Sequence, residues 1–119
     1  MRRTYDRITA QSLVPLLDVI TREMTERAEA VRTLTRKLRI LRRDDAPQNA
    51  ILDLQARLSN HRRELRLSTE ELEKLGCYVD EGSPLAVIIP GADGKHEHGY
   101  RWDSGALDLI EIDTPELTA

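Results

Sequence analysis

Residues 10–43 read AQSLVPLLDVITREMTERAEAVRTLTRKLRILRR. Their large apolar side chains fall in two columns. Leu13, Ile20, Leu34 and Leu41 form one, and Leu17, Met24, Val31 and Leu38 form the other. Interleaved, they alternate steps of four and three, the spacing of a coiled-coil seam. Arg27 fills the gap in the first column, with Ala28 beside it. This pattern predicts one long amphipathic helix over about 10–43. Such a helix cannot hide its seam alone and needs a partner.

The next periodic run supplies one. After the punctuation Asp44-Asp45-Ala46-Pro47, a second helix is expected over about 50–75. Its columns are Ile51, Leu58, Leu65 and Leu72, with Leu54, His61, Ser68 and Leu75 between them. Folding the chain back at Ala46 pairs Leu41 with Ile51, Leu38 with Leu54, and Leu34 with Leu58. Further along, Val31 meets His61, Arg27 and Ala28 meet Leu65, Met24 meets Ser68, Ile20 meets Leu72, and Leu17 meets Leu75. Apolar faces apolar at most levels, which predicts an antiparallel hairpin. Arg27, His61 and Ser68 are its polar seam positions, a type of residue that lowers stability while fixing register or oligomeric state.

At the start, Thr9 or Ser12 is the expected N-cap, which keeps Pro15 within the first turns, where its missing N–H does no harm. Past Gly76 the period changes. Short strands are expected at Cys77–Val79, Leu85–Ile89, His96–Trp102 and Leu107–Ile112, separated by turns at Asp80–Pro84, Gly91–Gly94 and Ser104-Gly105. Asp113–Ala119 read as a short acidic end. The fold class is therefore α+β. A helical hairpin over 1–76 is joined to a small antiparallel β-module over 77–119, expected at the open end near Leu13, Leu17, Leu72 and Leu75.

The layout resembles a bacterial family catalogued as domain of unknown function 2203. The resemblance rests on Tyr5-Asp6-Arg7-Ile8-Thr9-Ala10, then Ser12-Leu13-Val14-Pro15-Leu16-Leu17, then Leu72-Glu73-Lys74-Leu75-Gly76 before a short strand. Leu85–Pro90, Gly91–Gly94 and Tyr100-Arg101-Trp102 resemble the family's apolar strand, turn and Trp-bearing strand. The family tends to finish with an aromatic-His pair and a Gly-Phe-Ala-Gly-Arg-like segment, where this chain has Ile110-Glu111-Ile112-Asp113. The resemblance implies the fold and carries no activity with it.

Composition narrows the function classes. The chain has 119 residues, 39% hydrophobic and 33% charged, which is too apolar for disorder and suits long solvated helices. A hairpin of 13.6 kDa has much surface for its volume, so a homodimer through the hairpin is expected. Residues 1–79 hold 16 basic and 12 acidic side chains, whereas residues 80–119 hold 2 basic and 9 acidic. Only the helical part is therefore suited to meeting an anion. With a single cysteine, no apolar stretch behind the N-terminal arginines and no membrane-length run, a cytoplasmic protein without a membrane segment is expected.

Three sets of residues bear chemistry. Arg32, Arg36, Arg39 and Arg43 share one helix face, and Arg62 and Arg66 add charge on the return helix. Guanidinium forks of this kind suit phosphates. The ordinary reading of such a face is a solvated coiled-coil flank. His96 and His98 have the i, i+2 spacing of two metal ligands on one side of a strand, and a third ligand has to come from His61, Asp103 or another subunit; the plain alternative is a polar hairpin tip. Cys77 has no histidine near it in sequence and reads as a small buried hydrophobe. Glycine-rich phosphate loops, HExxH and paired-cysteine patterns are absent, and no cofactor is expected. The sequence points to a non-enzymatic interaction protein presenting a helical hairpin and associating with itself. The alternatives are a nucleic-acid- or ribosome-associated factor using the arginine face, and a small metal-dependent enzyme at the histidines.

Overall fold

The structure, a computed structural model, describes residues 3–82 and 85–112. Helix α1 spans Arg7–Ser12, α2 Val14–Arg43 and α3 Gln48–Lys74; strands β1 to β4 are Tyr78–Asp80, Ala86–Ile89, Tyr100–Asp103 and Ile110–Glu111. Contacts divide the chain into two units, residues 23–68 and residues 1–22 with 69–119. The acidic end at Asp113–Ala119 lies outside the described residues, as do Ser83 and Pro84 of the expected turn.

The N-terminal cap is Asp6, not Thr9 or Ser12. Its carboxylate accepts the Thr9 backbone N–H at 2.8 Å, and the Thr9 hydroxyl accepts the Asp6 N–H at 2.9 Å. This is a reciprocal capping box with threonine where glutamate or glutamine is usual. The long first helix is interrupted once, at Leu13. Pro15 has no N–H to offer the Gln11 carbonyl, so the hydrogen-bond ladder skips there and α2 starts afresh.

In the unit 23–68, α2 and α3 pack through the expected seam. Leu34, Leu38, Leu54 and Leu58 form the buried cluster, with Val31, Leu41 and Ile51 against it. Met24 and Ser68 are buried as well. His61, expected opposite Val31, receives its hydrogen bond from Arg27, whose Nη1 lies 3.1 Å from His61 Nδ1. Arginine only donates, so Nδ1 is the acceptor and the neutral ring carries its proton on Nε2. Arg27 also lies 3.7 Å from Glu23, so the two polar seam residues satisfy each other at the flank of the apolar stack.

The turn between the helices is a Schellman closure on a non-glycine residue. The Ala46 N–H reaches the Leu41 carbonyl at 2.9 Å, and Asp45 adopts φ 56°. Holding an L-residue there costs roughly 1–2 kcal/mol relative to glycine. At the other end of α3 the same closure uses Gly76 at φ 83°, with the Cys77 N–H on the Leu72 carbonyl at 3.0 Å. A Cβ at Gly76 would lie 2.9 Å from Arg3 Cβ, so both backbone and space require glycine.

In the second unit, the strands form one antiparallel sheet in sequence order, with Val79 opposite Val87 and Val87 opposite Trp102. β2 is buried along its whole length. Leu17, Leu72, Val87, Ile89 and Trp102 are fully enclosed, and the Trp102 indole N–H donates to the Ala106 carbonyl at 2.9 Å. Burial also takes in Cys77, whose thiol is pushed up to about 12 by desolvation and is no nucleophile near neutral pH. The Tyr5 hydroxyl donates to the Leu75 carbonyl at 2.8 Å, and the Gln11 amide to the Leu107 carbonyl at 2.9 Å. Two expected strands are shorter than predicted. His96–His98 form a 3-10 turn, and β3 begins only at Tyr100. The last strand is reduced to Ile110–Glu111. The cause of the first change is a close approach. Gly99 lies against the Ile89 carbonyl and Gly91 against the His98 carbonyl, with no room for a Cβ at either place.

Candidate functional site

The orientation of the arginines follows from the seam. At 3.6 residues per turn, burial of Leu34 and Leu38 turns Arg32, Arg36, Arg39 and Arg43 outward. All four are exposed, as are Arg42, Arg62 and Arg66. Arg43 pairs with Asp44 at 3.2 Å. Among the described residues, no carboxylate forms an ion pair with Arg32, Arg36, Arg39, Arg42, Arg62 or Arg66. Arg32, Arg36 and Arg39 converge on an open groove of about 380 Å³, with Val31 and Thr35 completing its lining. On a different side of the same unit, Glu26, Glu29, Arg57 and His61 line a groove of about 360 Å³. Both helices contribute to that second groove, so the hairpin presents two chemically different flanks. Sequence reading counted Arg42 in the basic run but placed only Arg32, Arg36, Arg39 and Arg43 on a common face. The seam register was the feature able to place it.

The two histidines of the turn are not brought together. An i, i+2 pair shares a face in a strand, whereas in a 3-10 turn at 3.0 residues per turn the two side chains diverge. His96 Nε2 lies 2.7 Å from the Gly76 carbonyl, with the Tyr78 ring edge-on at 4.9 Å. His98 Nδ1 lies 2.5 Å from Asp93 Oδ2. Among the described residues, no group of three or more His, Cys, Asp or Glu side chains is placed to hold a metal ion. An open cavity of about 670 Å³ beside His96 is lined by Arg3, Lys74 and Lys95 and also by Glu73 and Glu97, a mixed charge set.

Asp93 organises this turn. It accepts from His98 and from the Lys95 backbone N–H at 2.9 Å, and these bonds, that of His98 foremost, hold its carboxyl below the ordinary 3.8. A depressed carboxylate stabilises the fold above its ordinary value, and the stabilisation is lost as pH falls through the depressed one. In an NMR titration the Asp93 carboxyl carbon is therefore expected to turn over below 3.8 and to move back upward in His98→Ala. A midpoint at or above the ordinary value would remove the assigned bond.

The acidic side chains of the sheet are likewise engaged. Arg101 reaches Asp80 at 2.7 Å and Asp103 at 2.9 Å, so one guanidinium bridges a carboxylate of β1 and one of β3. Sequence reading missed this clamp, since nothing in the spacing of Asp80, Arg101 and Asp103 announces it before the sheet register is known.

A family model described as "Uncharacterized conserved protein (DUF2203)" matches residues 3–109, nearly the whole chain, and the chain belongs to that family. The match ends at Leu109, just before β4. Neither curated proteins nor solved structures give a match. None of the helices among the described residues is long and apolar enough to cross a membrane.

Proposed function

We propose that this member of the DUF2203 family is a non-enzymatic interaction protein, a helical hairpin over residues 1–76 carrying a β-module over residues 77–119, whose first partner is a second copy of itself. The observation that carries this reading is the set of large aliphatic side chains left outside the seam. On α2, Leu16, Val19 and Ile40 are 46%, 63% and 47% exposed; on α3, Leu52 and Leu67 are 54% and 40% exposed. Single exposed aliphatics are ordinary on any protein. Their recurrence along both arms of a hairpin with few other apolar reserves favours a further layer of helices, as in a dimeric four-helix arrangement. Chemistry is placed second because the grooves of the hairpin are open and its one thiol is buried and protonated.

Light scattering on the purified chain tests this. A dimer mass that holds at about 1 M salt, where surface charge pairs are screened, is expected, with Val19→Glu and Leu67→Glu shifting it toward monomer while helix content stays. A monomer at all concentrations overturns the reading.

A further inference from the structure

We propose that one flank of the hairpin, carrying Arg32, Arg39, Arg42, Arg62 and Arg66, binds the phosphodiester backbone of a nucleic acid without reading its bases. The argument is independent of self-association and starts from the seam. With Leu34, Leu38, Leu54 and Leu58 facing each other, helical geometry assigns every other position of residues 23–68 to a side. In an antiparallel pair, matching flanks of the two helices face the same way. The flank of α2 next to Val31 and Leu38 carries Thr25, Ala28, Arg32, Thr35, Arg39 and Arg42. The matching flank of α3 carries Leu52, Gln55, Ser59, Arg62 and Arg66. Five of these eleven residues are arginine and none is acidic.

The opposite flank has the reverse character. It carries Glu23, Glu26, Asp53 and Glu64 against Lys37 and Arg57. Two of its acids have cations at hand, Glu23 beside Arg27 at 3.7 Å and Asp53 beside Arg57 at 4.0 Å. The five flank arginines have no such partner among the described residues. A set of unpaired guanidinia on one side of a hairpin repels itself, so it lowers stability unless it meets a counter-charge.

The form of that counter-charge follows from the length and uniformity of the flank. Arg32 to Arg42 rises about 15 Å along α2 at 1.5 Å per residue. Phosphates on one strand recur at about 3.4 Å of axial rise, so several fall within that span. The surface of a folded acidic protein interleaves its carboxylates with cations, as this chain's own acidic flank does. The phosphate backbone is the polyanion with uniform charge over this distance, and planar guanidinium forks match its oxygens. A membrane surface fits less well, because apart from Leu52 the flank offers no large apolar or aromatic side chain to insert. Electrostatics confine the binding to this unit. Residues 23–68 hold 11 basic and 7 acidic side chains, whereas residues 1–22 with 69–119 hold 7 and 14.

Fluorescence anisotropy with the full chain and labelled single-stranded and duplex RNA and DNA oligonucleotides tests the proposal. Binding is expected to be indifferent to sequence. It should weaken steeply between about 0.05 and 0.2 M salt, with a log–log slope near 0.7–0.9 per phosphate engaged. Arg39→Glu with Arg62→Glu should weaken binding at least tenfold, while Lys37→Glu with Arg57→Glu on the other flank should change it less than about threefold. Circular dichroism of both variants checks that the helices persist. No salt-sensitive binding, equal losses from both pairs of reversals, or binding only to anionic vesicles would each overturn the proposal.

Discussion

Replacing Trp102 with alanine is expected to cost about 3–5 kcal/mol of folding stability, the largest loss from any single side chain in this protein. Trp102 is the sole tryptophan of a chain that has no phenylalanine, and it is fully buried. It stands on β3 opposite Val87, itself fully enclosed on a strand buried along its length. Truncation removes the largest apolar side chain from a unit with few alternatives to refill the space. It also strips the Ala106 carbonyl of the indole N–H that reaches it at 2.9 Å. The first effect is a transfer-plus-cavity cost, and the second leaves a polar group without its partner. A domain of this size has a total stability on the order of 5–15 kcal/mol, so the variant should be near the edge of folding at physiological temperature. Trp102→Phe separates the two effects. It keeps most of the volume and loses the hydrogen bond, and about 1–2 kcal/mol is expected. Urea unfolding followed by circular dichroism makes the measurement, because the substitution removes the fluorophore. A loss below about 1 kcal/mol for the alanine variant would mean that the indole is not the centre of this core.

The importance of Trp102 could be argued from composition, but its neighbours could not. The strands were legible as apolar runs between turns, and four strands in sequence order is what short hairpin connections impose. What escaped was the boundary at His96–His98. Alternation carried the strand reading back through the histidines, whereas the chain there forms a 3-10 turn where Gly91 packs on the His98 carbonyl and Gly99 on the Ile89 carbonyl across the hairpin. Contacts of that kind have no local periodic signature. The histidine pairing therefore depended on a strand that ends short of it. At the N-terminus the reverse happened. A local motif was present in Asp6 and Thr9, but it uses a threonine hydroxyl in place of the glutamate that usually marks it. The break at Leu13 was implied by Pro15, and the long helix was nonetheless read as continuous because its apolar columns run on through the break.

The arginine set shows the same division between pattern and placement. Charge and spacing along α2 were visible in sequence, and so was the basic excess of the helical half. Whether those side chains meet carboxylates depends on the rotation of each helix about its own axis, which only the seam contacts determine. Once that rotation is known, Glu23, Glu26, Asp53 and Glu64 sort to one flank and Arg32, Arg39, Arg42, Arg62 and Arg66 to the other, although the whole chain has a net charge of −3.

Leu58→Ala is expected to destabilise the hairpin by about 2–4 kcal/mol, the second large effect, and it tests the seam on which both functional readings depend. Leu58 is 4% exposed and lies in the cluster with Leu34, Leu38 and Leu54. Its loss removes several methylenes from water-excluded contact. A two-helix seam relaxes more readily than a closed core, which places the cost below the upper limit seen for leucine truncations. The diagnostic measurement is a double-mutant cycle with Leu34→Ala. Residues in contact couple, and a coupling of at least about 0.5 kcal/mol is expected for this pair, whereas Leu58→Ala and Trp102→Phe should add within that margin. Both cycles should be run at several protein concentrations, because a seam closed within one chain gives a coupling that does not change with concentration. Additive losses for Leu34 and Leu58 would place the two leucines against different partners. The flank assignments of Arg39 and Arg62 would then fall with the register, and the anisotropy experiment would no longer discriminate one side of the hairpin from the other.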